Sequence, residues 1–296
     1  MNAIQAAVTG LGNGATYGLI ATGLVIIYKS THVISFAQPS LMIVGGMVAY
    51  YATRLYGLPF GLALVIAALL AGALAMLIDR GTQRPLLRRS PFVMVVMTLG
   101  VDIVLRVVVN QTIGTQRRSI PNPWGFDTIS VGGVIVQQRS IAMFSIGLLV
   151  MVVLAAFFRY ARIGLAMRAV AFDREAAMAQ GMSASLVFAL SWGLAGGLAA
   201  IAGVLLGSGS GLDQQTWLVA LKAIPAMIIG GLDSIKGAFI GGLAVGLVEA
   251  FFGSYQSSYM AWLGDNFAVV SGYLLLLIVL MLRPYGLFGT TRIERV

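Results

Sequence analysis

Between Ala3 and Tyr28 the chain runs 26 residues without a charge. As a helix rising about 1.5 Å per residue, that is more than enough to cross a hydrocarbon core of ~30 Å. Shorter apolar runs recur at Leu58 to Ile78, Phe92 to Val109 (apart from Asp102 and Arg106), Ile141 to Phe158, Leu186 to Leu206, Gly237 to Phe252 (apart from Glu249) and Asn266 to Leu282. Inside a bilayer each segment must satisfy its own backbone polar groups, and helices do so. The expected fold is therefore all-α: a polytopic integral membrane bundle forming one domain over residues 1–296.

Composition agrees. Hydrophobic residues make up 59% of the chain and charged residues 10%, against about 25% charged in a soluble domain. Glycine, at 37 residues, is well above its usual ~7%. In lipid, small residues let helices approach closely. Gly10, Gly14 and Gly18 stand four apart on one face of the first span, either as a packing stripe or as a pore lining.

Two segments break the pattern. Lys29 to Ser40 is polar and ends in Gln38-Pro39-Ser40, and the apolar piece that follows, Leu41 to Thr53, is short for a crossing. Trp217 to Leu232 is interrupted by Lys222 and Pro225 and ends at Gly230-Gly231. Irregular backbone at membrane depth is tolerated where protein or a water-filled cavity satisfies it. Phe36, Gln38, Pro39, Ser40, Pro225, Gly230 and Gly231 are therefore candidates for a translocation pathway, with an ordinary interfacial turn the alternative for the first break. Counting the broken pieces gives eight or nine spans.

The net charge of +9 does not indicate nucleic acid, because the basic residues sit in short stretches between apolar runs. Placing segments 79–91, 159–182 and 283–296 with Lys29 in the cytoplasm collects 12 of the 19 Lys and Arg there, as the positive-inside rule expects. The C-terminus is then inside; the side of the N-terminus depends on whether 29–53 crosses. Residues 110–140, rich in Pro and Gly with a β-like stretch from Val131 to Val136, form the expected outer loop. The first run has no basic leader or cleavage pattern and is expected to be kept as a span.

Within the spans, Asp102 and Arg106 lie four apart on one helix face, positioned for an ion pair with a structural or a transport role. Glu249 is then the main acid left unpaired. Arg117, Arg118 and Lys222 read as outer charges, either solvated or suited to an anionic cargo. Residues Arg159 to Met182 alternate in charge at Arg168, Asp173, Arg174 and Glu175, beside an apolar side of Ile163, Met167, Val170, Ala171, Met178 and Met182. That pattern fits a generic interfacial loop or a short amphipathic helix, hinged at Gly164, that seats in a partner's groove.

Several chemistries are excluded. There is no cysteine and a single His32, so no catalytic residues or metal site can be assembled, and a membrane enzyme is disfavoured. No Gly-x-x-x-x-Gly-Lys-[Ser/Thr] occurs, so the chain has no P-loop of its own. It also lacks the array of membrane acids and histidines of a proton relay. An external motor is the simpler expectation, with a stand-alone ion-coupled carrier or channel as the alternative.

A family resemblance joins these features. Gly10, Gly14, Tyr17, Leu19, Ala21, Gly23, Leu24, Ile27 and Tyr28, followed by Ser35-Phe36-Ala37-Gln38, resemble the opening of the permeases of the high-affinity branched-chain amino-acid ABC importers, H-subunit type. Four further blocks resemble them in the same order: Arg84-Pro85-Leu86; Arg162-Ile163-Gly164 through Asp173 to Gly181; Ile229-Gly230-Gly231-Leu232 through Gly241-Gly242; and Arg283-Pro284 through Gly289. The resemblance implies an ABC importer permease fold in a bacterial cytoplasmic membrane. It implies as partners a second homologous permease forming a heterodimer, two cytoplasmic ATPase subunits that carry ATP and Mg, and an extracytoplasmic substrate-binding protein. Gly164, Arg168, Ala169, Asp173, Ala177 and Gly181 match the segment that couples the ATPases to the membrane. Departures occur at Gln38, where the family often has His, at Pro39-Ser40, and at Leu165, where a basic residue is common. The resemblance extends to carriers of other amino acids, urea, amides and organic acids, so the substrate stays open.

Overall fold

The computed structural model describes residues 3–86, 89–114, 116–125, 127–131, 134–259 and 267–290. Arg88, Arg292 and Arg295, counted above among the cytoplasmic charges, lie outside the described residues, as do 132–133 of the β-like stretch and Asn266. Twelve α-helices are described: α1 (Ala3–Thr31), α2 (Gln38–Arg54), α3 (Phe60–Ile78), α4 (Pro91–Ile113), α5 (Gln138–Tyr160), α6 (Arg162–Phe172), α7 (Arg174–Ala179), α8 (Ala184–Gly207), α9 (Trp217–Leu221), α10 (Ala223–Gly230), α11 (Ile235–Tyr259) and α12 (Phe267–Leu282). The molecule is an all-α polytopic bundle with one small hairpin.

Among the described residues six helices are long and apolar enough to cross a membrane: α1, α3 with its extension, α4, α5, α8 and α11. This corrects the expectation of eight or nine. The difference lies in the short pieces. α2 has only 17 residues, Trp217–Gly230 is split in two, and Phe267–Leu282 has 16. Two segment boundaries also differ. The polar run after Ile78 continues helically through a π turn, Asp79–Gln83, and a 3-10 turn, Arg84–Leu86. The β-like stretch belongs to an antiparallel hairpin of β1 (Thr128–Val131) and β2 (Val134–Gln137), with Thr128 opposite Gln137.

Proline and short polar side chains start the helices. Pro39 and Pro91 occupy first-turn positions of α2 and α4, where the missing N–H costs nothing. Ser183 caps α8 by accepting from the Leu186 amide at 3.3 Å.

Two helices form the centre. In the most apolar windows of α1 and α8, 89% and 83% of residues are buried, against 28% or less in α3, α4 and α5, which present aliphatic side chains outward as lipid-facing helices do. α1 packs on α5, α8 and α11, and α8 on α2 and α3. α1 and α11 run antiparallel, Gly10 facing Leu247, Gly14 facing Gly242 and Leu243, and Gly18 facing Phe239. A Cβ on Gly14 would stand 2.8 Å from both the Gly242 carbonyl oxygen and the Leu243 Cα. The stripe is therefore a packing surface. Gly242 and Gly246 receive α1, while Gly237 and Gly241 on the same helix receive Gly230 and Ala226 of α10.

Basic segments gather at one end of the bundle. Arg84 donates to the Ser185 carbonyl at 2.9 Å and Lys29 to the Asp233 carbonyl at 2.9 Å. The C-terminal tail returns to the same turn, Leu287 N–H donating to the Ile229 carbonyl at 2.8 Å. Arg54, Arg117, Arg118 and Arg139 belong to the other end. There Arg118 bridges to Leu212, and the Arg117 guanidinium meets Asp213 at 2.9 Å. Burial pushes the Asp213 carboxyl up, but hydrogen bonds from Thr216, Arg117 and the Gln215 amide, with the Arg117 charge, leave it below its usual value.

Replacing Gly242 by Leu is expected to separate α1 from α11 and lower the thermal midpoint, at an overpacking cost on the order of 1–3 kcal/mol. The same change at Gly100, which has nothing within 4 Å, is expected to be tolerated. Equal midpoints for the two variants would contradict the packing role. At the far end, a depressed Asp213 carboxyl stabilises the 209–217 connection above its unfolded pKa, and that stabilisation is lost as pH falls through the folded value. After correction for the intrinsic pH dependence of amide exchange, protection in 209–217 should therefore fall below about pH 4. Asp213→Asn should show the faster exchange already at pH 7; an unchanged pH profile in that variant would refute the assignment.

Candidate functional site

The two interrupted segments meet. The chain leaves α1 at Thr31, turns through His32, which has a positive φ of 55°, and re-enters the protein so that α2 starts deep in the bundle. The Phe36 amide donates to the Thr98 hydroxyl of α4 at 3.0 Å. Ser35, Phe36, Gln38 and Pro39 then border a recess whose other wall is Leu24 with Ala220 and Ile224 of the α9–α10 break. The recess is closed to about 10 Å³, room for about one water.

Its polar groups are unusual. Ser35 and Gln38 are each 1% exposed, yet the Ser35 hydroxyl and both amide atoms of Gln38 have no hydrogen-bond partner among the described residues. Leaving such groups unpaired costs about 1–3 kcal/mol each.

Ion pairs hold the α9–α10 break on both sides. On one side Asp102 and Arg106 of α4 pair. The Ser40 hydroxyl of α2 donates to the buried Asp102 carboxylate, and the Arg106 guanidinium lies 3.8 Å from the ring centroid of Trp217 in α9. On the other side Lys222, between α9 and α10, pairs with Glu249 of α11 and lies 5.5 Å from the Tyr17 ring centroid. This pair corrects two expectations: Glu249 is not unpaired, and Lys222 is a half-buried group at the helix break, not an outer loop charge. Sequence held a signal for it. A lysine and a glutamate left over within apolar segments each need a partner, and each is the other's remaining choice.

The structure thus brings Phe36, Gln38 and Pro39 together beside the Ala220–Ile224 turn, with buried Pro225 next in sequence. Ser40 turns away into the Asp102 network. Gly230 and Gly231 do not line the recess; Gly230 packs on Gly237, and Gly231, at φ 106°, packs on Phe288 and Gly289 of the tail. Trp217 and Tyr17 are members of this site that were not among the site candidates read from the sequence, where Tyr17 figured only in the family-like opening block.

A second candidate region lies at the basic end. Segment 159–182 is two helices and not one. Asp173, in extended conformation at φ −147°, ends α6 and caps α7 by accepting from the Ala176 amide at 3.0 Å. Gly164 is not a hinge ahead of the helix. It sits buried within α6, where a Cβ would stand 2.5 Å from the Phe157 carbonyl oxygen, and so lets α6 fold back onto α5. The apolar side also divides. Met167, Val170 and Ala177 face the protein's own core, whereas Ile163 and Met178 are exposed. Phe172 is 94% exposed, beside the exposed Asp173, Arg174 and Glu175. Arg168 is exposed, Ala169 half-buried, and Gly181, at φ 81°, turns the chain towards α8.

Comparison with known proteins places this arrangement. The family described as branched-chain amino acid transport system / permease component matches residues 6–279. The chain is 31% identical to the high-affinity branched-chain amino acid transport system permease protein BraD of Pseudomonas aeruginosa, over 99% of this chain and 98% of that one. It is 29% identical to the corresponding LivH protein of Escherichia coli K12, over 99% and 97%. With the probable branched-chain amino acid transport permease LivH of Methanocaldococcus jannaschii it shares 30% over 92% and 88%. A chain of the solved structure of PsaBC from Streptococcus pneumoniae in complex with Fab overlaps 95% of it at a TM-score of 0.49 and 15% identity, too distant to carry an argument about helix arrangement. With the family match running from α1 into α12, the chain belongs to the permease components of branched-chain amino acid transport systems.

Proposed function

We propose that this chain forms, with a sister permease, the translocation pathway for branched-chain amino acids or closely related small zwitterions, driven by two ATPase subunits docked on α6 and α7. The carrying observation is the exposed α6–α7 elbow. It projects Phe172 among alternating charges at the end of the bundle where the basic segments gather. An apolar side chain 94% exposed on a rigid, capped turn is what a partner's groove can seat, with the charges as its rim. The positive-inside rule makes that end cytoplasmic. The C-terminal tail is then inside, and the N-terminus, at the opposite end of α1 from Lys29, is outside. Substrate would arrive there from an extracytoplasmic binding protein.

Contacts supply a route for the motion. α6 is pressed on the end of α5 at Gly164, and α7 leads through Gly181 and the Ser183 cap into α8. α8 in turn packs on α2, Gly203 against Met42 and Gly45 against Ala200. Movement of the elbow by ATPase closure would reach the start of α2, and with it Gln38 and the closed recess. The orphaned hydroxyl of Ser35 and amide of Gln38 fit a surface that gains partners in another state of the cycle. Asp102–Arg106 and Lys222–Glu249 would hold the broken helix in register while it moves. Both acids in these pairs are neutralised, which argues against a stand-alone proton-coupled carrier. No chemical step is assigned to this chain; ATP hydrolysis belongs to the partner subunits.

In proteoliposomes holding the full importer, Arg168→Glu and Phe172→Asp are expected to lower leucine, isoleucine and valine uptake by ten-fold or more, leaving the complex's ATPase activity at its unstimulated level. Wild-type uptake in either variant would overturn the docking role. Uptake by the permease pair without ATPases would favour the carrier reading. Lys222→Met is expected to leave Glu249 half-buried and unpaired, costing on the order of 3–5 kcal/mol if the site stays dry. Adding Glu249→Gln should restore part of the lost thermal stability; no recovery in the double variant would show that the pair is not the stabilising interaction.

A further inference from the structure

At the basic end, the last three turns of α5, the side of α6 and the start of α11 border a groove of about 650 Å³. One part of its wall is apolar, with Met151, Phe158 and Phe239; the other carries Arg159, Arg168 and Lys236. Three cations from three helices thus converge where α5 ends and α11 begins. The ion pairs of the described residues are Arg84–Asp79, Arg106–Asp102, Arg117–Asp213 and Lys222–Glu249, so none of the three is neutralised there. The groove runs along α5 from Met151 to Tyr160, about 13 Å of helix. Next to it α5 turns Leu148, Leu149 and Val153 outward, each at least 45% exposed. Tyr160, at the end of α5 and 76% exposed, has the amphipathic character and helix-end position of a residue at the membrane surface.

A ligand for this groove needs an anionic head and an apolar body extended parallel to the helices. We infer that the groove bounded by Arg159, Arg168 and Lys236 binds an anionic phospholipid from the leaflet at the basic end, its phosphate among the three cations and an acyl chain along Met151, Phe158 and Phe239. Basic recesses between membrane helices favour acidic headgroups in this way. A carboxylate from another protein would satisfy the charges but leave the apolar length uncovered. Because the cations come from α5, α6 and α11, the phosphate ties the α6 elbow to the helix that packs along α1. The site stands independently of whether Arg168 also contacts an ATPase.

The test is native mass spectrometry on the full-length chain titrated with phosphatidylglycerol or phosphatidylcholine, and on the assembled importer. Phosphatidylglycerol is expected to be retained at one molecule per chain, well above phosphatidylcholine. Arg159→Gln with Lys236→Gln should weaken retention on the order of 30-fold, from about five-fold per basic residue. Lys236→Arg, which keeps the charge, and Arg54→Gln at the other end should leave it unchanged. Equal retention of the two lipids, or wild-type retention in the double variant, would overturn the inference. So would displacement of the lipid by inorganic phosphate alone, or its exclusion once the sister permease is assembled.

Discussion

The close backbone approach of α1 and α11 is the contact on which the rest of the bundle depends. In a bilayer the lipid tails are as apolar as the side chains, so burying leucine against leucine gains little, and helices associate through tight packing and polar contacts. Gly14 and Gly242 supply the first by leaving the two backbones touching where a Cβ would meet the Gly242 carbonyl oxygen at 2.8 Å. α11 is then fixed against the central helix, and its other glycines, Gly237 and Gly241, draw α10 onto the same scaffold. α8 docks on the opposite flank of α1 at Gly23 and Ala195. The broken helix is thereby suspended between packed neighbours.

Polar contacts then decide what that suspended piece can do. A helix interrupted within the hydrocarbon must have its ends satisfied by protein. Here the charges do more than satisfy it. Arg106 reaches Trp217 before the break and Lys222 reaches Glu249 at the break, so α9 is tied to α4 and α10 to α11. Each cation carries its own carboxylate, which keeps the charges affordable in a low-dielectric interior. By contrast the side-chain polar atoms of Ser35 and Gln38, opposite the break, are buried without partners among the described residues. The site therefore has paired charges at its frame and unpaired neutral groups at its centre, which is the basis for proposing it as part of the pathway.

Much of this was legible in the sequence because hydropathy and glycine spacing are local. The uncharged run of α1, the four-residue spacing of Gly10, Gly14 and Gly18, and the two interrupted segments each follow from a few neighbouring residues. The Asp102 and Arg106 spacing also lies within one helix. What the sequence did not show were relations between distant segments. Elimination among the membrane charges points Lys222 to Glu249, 27 positions away on α11, but no local pattern around either residue does, and none says that Arg106 lies over Trp217. The apolar side of segment 159–182 misled for a related reason: periodicity shows that one face is buried, but not whether the protein's own core or a partner covers it. Met167 and Val170 face inward, and the most exposed apolar side chain of the segment is Phe172, which the periodic pattern left out.

That reversal bears on how force could pass through the elbow. Were Met167 and Val170 presented to a partner, α6 would be held from outside and loosely joined to the bundle. Instead they are inserted in the bundle, Gly164 presses α6 onto the end of α5, and the Asp173 cap fixes α7 at an angle to α6. A push on Phe172 therefore acts on a lever whose inner arm is already packed. A conformationally permissive joint between this lever and α8 is Gly181, at φ 81°, followed two residues later by the Ser183 cap. On the proposed docking, displacement of the elbow would be passed on as movement of α8, and through Gly203 and Gly45 to α2, because close-packed backbones cannot absorb it by changing rotamers.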